Sequence, residues 1–173
     1  VSRRGEARVR CGHPWIFRSD LESEGDAAPG SVVRVANGRG RILGYAFYSS
    51  ESEIRLRMIS RSETLGDDWL AQRLDQAVRW RDTVAPGARA CRLVHGEGDG
   101  IPSLVVDRYG DYLVVQTLSE ATDALRHDIA RILGDRLWPK GILERNDPRV
   151  RQLEGLESRV EVLQGDVPPL VEV

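Results

Sequence analysis

Ser31-Val-Val-Arg-Val-Ala-Asn-Gly-Arg-Gly-Arg-Ile-Leu-Gly-Tyr-Ala-Phe-Tyr48, with Ile54-Arg-Leu-Arg-Met-Ile59 close behind it, decides the fold of the first third of the chain. Apolar and polar residues alternate through Ser31–Ala36, so Val33 and Val35 face one way and Arg34 the other, the period of a strand. Asn37-Gly-Arg-Gly40 reads as a hairpin turn, because Asn and Gly tolerate positive φ, and Arg41–Tyr48 is the return strand. The alternation resumes with Ile54, Leu56 and Met58 expected inward, and Arg55 and Arg57 outward. Several short strands at this spacing predict a small β-barrel.

Beyond it the period changes. Asp67-Asp68 offers a cap for a helix in which Leu70, Leu74, Ala77, Val78 and Arg81 recur at helical spacing, and Ala85-Pro-Gly87 ends it. A boundary near 61–67 divides the chain into 1–64 and 65–173. The second part mixes both element types. Strands are expected at Cys91–Val94, at Leu104–Asp107 and Tyr112–Leu118 as a hairpin around Tyr109-Gly-Asp111, and at Gly141–Glu144 and Arg159–Leu163. Helices are expected over Thr122–Leu133, with Leu125, Ile129, Ile132 and Leu133 on one face, and briefly over Asp147–Leu153. A linker at Asp166–Pro169 precedes a last strand at Leu170–Val173. The fold class is α+β: a small β-barrel, then a mixed α/β domain.

Composition is that of a soluble globular protein, with 40% apolar and 30% charged residues. No stretch approaches the roughly 18 apolar residues of a membrane helix, and no leader is visible, so the expected location is the cytoplasm without membrane contact. Cys11 and Cys91 are the only cysteines and are read as two thiols. The chain opens on valine and stops as a strand begins, which suggests a piece of something longer. A net charge of −2 argues against a general nucleic-acid binder, but the charge is unevenly spread. Residues 1–61 hold 11 Arg against 7 acids, and residues 62–173 hold 14 basic residues against 20 acids. Arginine, whose planar fork suits phosphates and base edges, supplies every positive charge except Lys140.

Three motifs carry possible chemistry. Gly12-His-Pro-Trp-Ile-Phe17, among Arg8, Arg10 and Arg18, suits unpaired bases and phosphates, while Trp15 and Phe17 read more simply as core anchors of the barrel. His95-Gly-Glu97-Gly-Asp99 spaces three potential metal or acid–base groups, but the glycines break the strand, and Asp99 reads more simply as bonding backbone amides in a turn. Glu144-Arg-Asn-Asp-Pro-Arg-Val-Arg151 ends a strand and opens a helix, with Asp147 as cap and Pro148 in its first position. That block is either an anion site or a capping and salt-bridge cluster.

Arg4–Phe17, Arg92–Gly110 and Glu144–Leu156 together resemble, in order and spacing, the PUA and central domains of bacterial large-subunit rRNA cytosine-C5 methyltransferases. The resemblance implies a PUA-like barrel at the N-terminus and an RNA-recognition role within a 23S rRNA 5-methylcytosine methyltransferase. Arg8, Arg10, His13, Trp15, Arg18, Arg145, Asn146 and Arg149 are the candidate RNA contacts. Cys11 departs from the family, where a basic residue is expected. The family's S-adenosylmethionine site and catalytic cysteine belong to a further Rossmann-like domain. No cofactor, catalytic or metal residue is assigned within these residues, since neither cysteine has an activating context and no glycine-rich turn leads from a strand into a helix. The expected partners are 23S rRNA and the methyltransferase domain, with a second copy, as a homodimer, left open. Two other readings stay open: a docking or dimerisation module without RNA binding, and a metal-dependent hydrolase around His95, Glu97 and Asp99.

Overall fold

In the computed structural model, which describes residues 1–173, the chain begins with a helix that the apolar pattern does not announce. Helix α1 spans Arg3–Arg10, and the Ser2 hydroxyl accepts from the Gly5 N–H at 3.2 Å as its cap. Only Gly5 and Val9 are buried in it, too sparse a stripe to read as a period. Gly5 sits where a Cβ would come within 2.9 Å of the Asp20 carbonyl, so α1 can lie directly on the short 3₁₀ turn Arg18–Asp20.

Strands β1 (Trp15–Ile16), β2 (Val32–Ala36), β3 (Ile42–Tyr48) and β4 (Leu56–Ser60) form an antiparallel sheet in the order β1-β4-β3-β2. One face of it packs Ile16, Val35, Ala46, Tyr48, Leu56 and Met58 against Val9 of α1. The opposite face is also covered, because Phe47 and Ile59 belong to the core of the second half. This corrects the orientation expected for Arg55 and Arg57, which are both buried. Arg55 pairs with Glu24 at 3.0 Å and donates to the carbonyls of Ser49, Ser50 and Ser52, so it stitches the β3–β4 turn. Arg57 reaches Glu154 of the second half.

Helix α2 (Trp69–Val84) starts after Asp68, whose carboxylate binds the Gln72 side chain at 2.8 Å and makes no cap bond to the helix. Its buried Leu70, Leu74 and Ala77 lie against a second sheet. That sheet runs β5 (Ala90–His95), β6 (Leu104–Tyr109), β7 (Tyr112–Thr117), β8 (Gly141–Asn146) and β9 (Arg159–Gly165) in order, with only the β7–β8 pair parallel. β6 and β7 make the expected hairpin around Gly110-Asp111. The parallel step needs a crossover, supplied by α3 (Glu120–Ala124) and α4 (Arg126–Leu137). These replace the single helix expected over Thr122–Leu133, and Leu125 is the break.

Residues after Pro148 form a 3₁₀ turn, Arg149–Glu154, without a side-chain cap; Asp147 faces Arg145 at 3.4 Å. Leu170–Val173 pairs with no strand, contrary to the expectation. Leu93, Val94, Leu104, Val106, Leu113, Val115 and Ile142 fill one sheet face beneath α2 and α4, including Ile129 and Leu133. The result is α+β, a small antiparallel N-terminal sheet followed by an α/β part with a mixed sheet. No helix is long and apolar enough to cross a membrane.

Candidate nucleic-acid interface

Helical spacing splits the arginines of α1 into two groups. Arg4 and Arg8 turn to Asp20, whose fully buried carboxylate they approach at 2.9 and 2.8 Å. Arg8 also lies 5.0 Å from the centre of the Phe17 ring. Its charge is therefore largely committed inside the fold. Arg3 and Arg10 instead share a face with Glu6, to which Arg10 donates twice, at 3.0 and 2.6 Å. Those bonds, with help from Asn37, hold the Glu6 carboxyl below its ordinary range.

This face of α1 looks across a recess of about 550 Å³ at the β2–β3 hairpin. Asn37 Oδ1 accepts from the N–H groups of both Arg39 and Arg41, each at 3.0 Å, which fixes the turn that presents those side chains. Arg3, Arg10, Arg39 and Arg41 all line the recess, and of these only Arg10 makes an ion pair. Polyanion backbones are the ligands such a cluster suits, since phosphate contacts supply most nucleic-acid affinity. The sequence reading missed Arg3, Arg39 and Arg41. The turn signal Asn37-Gly-Arg-Gly40 was visible, but a helix opposite it was not.

The other candidates fall into two places. His13 Nδ1 accepts the Trp15 N–H at 3.0 Å, and the two rings meet edge to face at 6.1 Å. The Trp15 indole N–H donates to Glu97 at 2.7 Å, which makes Trp15 a tie between the two halves. Arg18 is exposed, 3.6 Å from Glu53. Arg145, Asn146 and Arg149 stand at the end of β8 and beyond, and none of their polar contacts reaches the first group. Asn146 is fully buried, bonded to Thr117 at 2.7 and 2.8 Å and to Glu144 at 2.6 Å, so its amide offers no surface to a ligand. Arg145 and Arg149 are exposed.

Around Asn146 lies the salt-bridge cluster that the sequence block allowed. Asp123 takes Arg151 at 2.9 Å and Arg159 at 2.8 Å, and Glu144 takes Arg159 at 2.6 Å. The Glu144 bond, against an opposing burial effect, pushes the Arg159 pKa up, so that guanidinium stays charged throughout.

His95, Glu97 and Asp99 do not converge as metal ligands. Both Asp99 oxygens are held at 2.7 Å by Arg81, one also accepts the His95 N–H at 2.6 Å, and Glu97 serves Trp15. Burial opposes ionisation of Asp99, but the Arg81 and His95 bonds outweigh it and lower its pKa. A depressed carboxyl stabilises the fold above its unfolded pKa of about 3.9, and that contribution is lost as pH falls through the lower folded value. The urea midpoint is thus expected to fall further between pH 7 and pH 3 in wild type than in an Asp99→Asn variant, which lacks the titrating carboxyl and is the less stable of the two at pH 7.

The β7–α3 turn, the one place where a strand of the parallel pair feeds a helix, does not fit a nucleotide-type cofactor. It carries no glycine, and Ser119 and Thr122 close the helix N-terminus with a capping box.

Residues 1–61 match a family model described as a PUA-like domain. The chain is 36% identical over 163 residues to ribosomal RNA large subunit methyltransferase I of Cronobacter sakazakii, covering 91% of this chain and 41% of that protein. The Aliivibrio fischeri protein of the same name is 35% identical over 166 residues, covering 93% and 42%. The chain thus spans about two fifths of the length of the curated relatives it matches. In fold it is similar to the crystal structure of SMU.776, described as a methyltransferase complexed with SAH, with a TM-score of 0.79 at 18% identity, over 98% of this chain and 43% of that one. A protein from Streptococcus mutans described as a SAM-dependent methyltransferase gives 0.77 at 18% identity, over the same shares.

Proposed function

We propose that residues 1–173 are the RNA-recognition and substrate-orienting portion of an S-adenosylmethionine-dependent 23S rRNA 5-methylcytosine methyltransferase acting in the cytoplasm. The observation that carries this reading is the arginine-lined recess between α1 and the β2–β3 hairpin, within the PUA-like match. The relatives named as ribosomal RNA large subunit methyltransferases support the substrate class. On this reading residues 1–64 grip RNA, and residues 65–173 hold that unit at a fixed angle to the methyl-transferring portion. S-adenosylmethionine and the reacting groups belong to that other portion.

Orientation comes from contacts between the halves. Besides Arg57–Glu154 and Trp15–Glu97, the Glu120 carboxylate accepts from the Ser50 N–H and hydroxyl at 3.0 and 2.9 Å. Phe47 and Trp69 add an edge-to-face aromatic contact at 5.7 Å.

Charge reversal in the hairpin tests the grip. Arg39→Glu and Arg41→Glu are expected to weaken binding to 23S rRNA fragments and to flatten the plot of log affinity against log salt by about one unit per lost phosphate contact. Unchanged slopes, measured by fluorescence anisotropy, would remove the recess from the interface. Arg8 is a poorer choice, because its loss strips a partner from buried Asp20.

One observation favours a docking role instead. Val160 and Val162 of β9 are 59% and 49% exposed on a sheet face that no helix of this chain covers. A stable dimer in light scattering, together with no RNA affinity, would support that second reading.

A further inference from the structure

A cleft of about 770 Å³ runs between the two halves and is separate from the α1–hairpin recess. One wall is a single face of α2, because Arg73, Gln76 and Trp80 recur at helical spacing, with Arg79 beside them. The facing wall is the end of β4 with Arg61 and the Gly12–Pro14 segment, and the turn Gly98–Gly100 forms the floor. Trp80 is 56% exposed. Leaving an indole in water is unfavourable, and a tryptophan exposed inside a concave, polar-lined site points to a flat ligand.

The charges of this cleft are left for a ligand. Arg61 is anchored by main-chain carbonyls, Gly12 at 2.6 Å and Val9 at 3.4 Å, which fix its guanidinium without neutralising it. The Arg73 guanidinium packs over Gly100, a glycine at φ +71° that lets backbone and guanidinium approach. None of Arg61, Arg73 and Arg79 makes an ion pair, although two carboxylates line the same cleft. Glu97 is held by Trp15, and Asp99 by Arg81 and the His95 N–H. Of the two acids Asp99 is ion-paired, whereas none of these cleft arginines is.

We infer that this interdomain cleft binds single-stranded RNA, with one unpaired base stacked on Trp80 and adjoining phosphates on Arg61, Arg73 and Arg79. Duplex RNA keeps its base faces inside the helical stack, so it cannot use an indole platform; an unpaired nucleotide can. The inference rests on the RNA-binding reading above and adds to it a second site with a different ligand form. The hairpin recess takes backbone charge, and the cleft takes a splayed base.

The test uses the 173-residue chain, a short unstructured oligoribonucleotide and a blunt-ended RNA duplex with strands of the same length. Trp80→Ala is expected to lower affinity for the oligonucleotide about tenfold, the size of one lost base stack, and to leave duplex binding unchanged. Trp80→Phe recovers most of the loss, and Trp138→Ala, which removes an indole that is 84% exposed elsewhere, changes nothing. If Trp80→Ala unfolds early in a thermal melt, the exposed Arg79→Glu carries the test in its place, with the same selective loss expected. Equal oligonucleotide binding by wild type and both cleft variants overturns the inference, as does an equal loss in Trp138→Ala. Binding of the duplex RNA alone overturns it while leaving the proposed function standing. No binding of either RNA brings down both.

Discussion

Glu154→Ala is expected to destabilise the chain by about 3–5 kcal/mol, read as a lower midpoint in urea unfolding. Glu154 is the second-half partner of Arg57, at 2.6 Å, and the two side chains are only 2% and 7% exposed. Its other oxygen takes the Ser49 hydroxyl at 2.7 Å, and Arg57 donates back to Ser49 at 3.0 Å, closing a ring of three. Removing the carboxylate leaves a guanidinium in a space with little water, and that uncompensated charge sets the size of the effect. Replacing both members, as Arg57→Met with Glu154→Leu, is expected to cost far less than either truncation alone, because a desolvated pair roughly balances its own attraction. A double-mutant cycle with additive losses would contradict the assignment of this pair as the clasp between the halves.

Arg151→Ala is the second large effect, again about 3–5 kcal/mol. Arg151 is 1% exposed and uses every part of its guanidinium: Nε on the Glu157 carbonyl at 3.0 Å, Nη1 on the Thr117 carbonyl, and Nη2 on Asp123 at 2.9 Å. Its loss leaves a buried carbonyl without its guanidinium donor and Asp123 with Arg159 as its one remaining ion-pair partner. Arg151→Lys is expected to recover little, since an ammonium cannot span three acceptors in one plane. Recovery to wild-type stability by lysine would mean that charge alone matters here.

These two arginines mark what the sequence conveys and what it withholds. The strands around Val33, Val35 and Ile42–Tyr48, and the β6–β7 hairpin at Gly110-Asp111, were legible because alternation and turn residues act within a few positions. Arg57 read as solvent-facing by the same alternation. Its partner lies 97 residues away, so no local pattern could reveal that its side of the sheet is covered. Asn146 misled in the same manner: a polar residue at a strand end reads as ligand-facing, but Glu144 and Thr117 enclose it. Helix α1 escaped because it is held by a cap, by ion pairs to Asp20 and by the close approach at Gly5. Missing that helix also hid the recess, because Arg3 and Arg10 meet Arg39 and Arg41 only once α1 packs beside the hairpin. Trp15 was read two ways from sequence, and its bond to Glu97 gives it an anchoring role that leaves Trp80 as the indole open to the interdomain cleft.

The central claim is that this chain grips RNA by its backbone charge, and equilibrium titration against a 23S rRNA fragment over a range of salt concentrations tests it most directly. Four arginines at the recess predict measurable affinity at low salt that falls steeply as salt rises, with a slope of log affinity on log salt of about −3 to −4. A chain with no affinity at low salt, or with affinity indifferent to salt, would contradict the account.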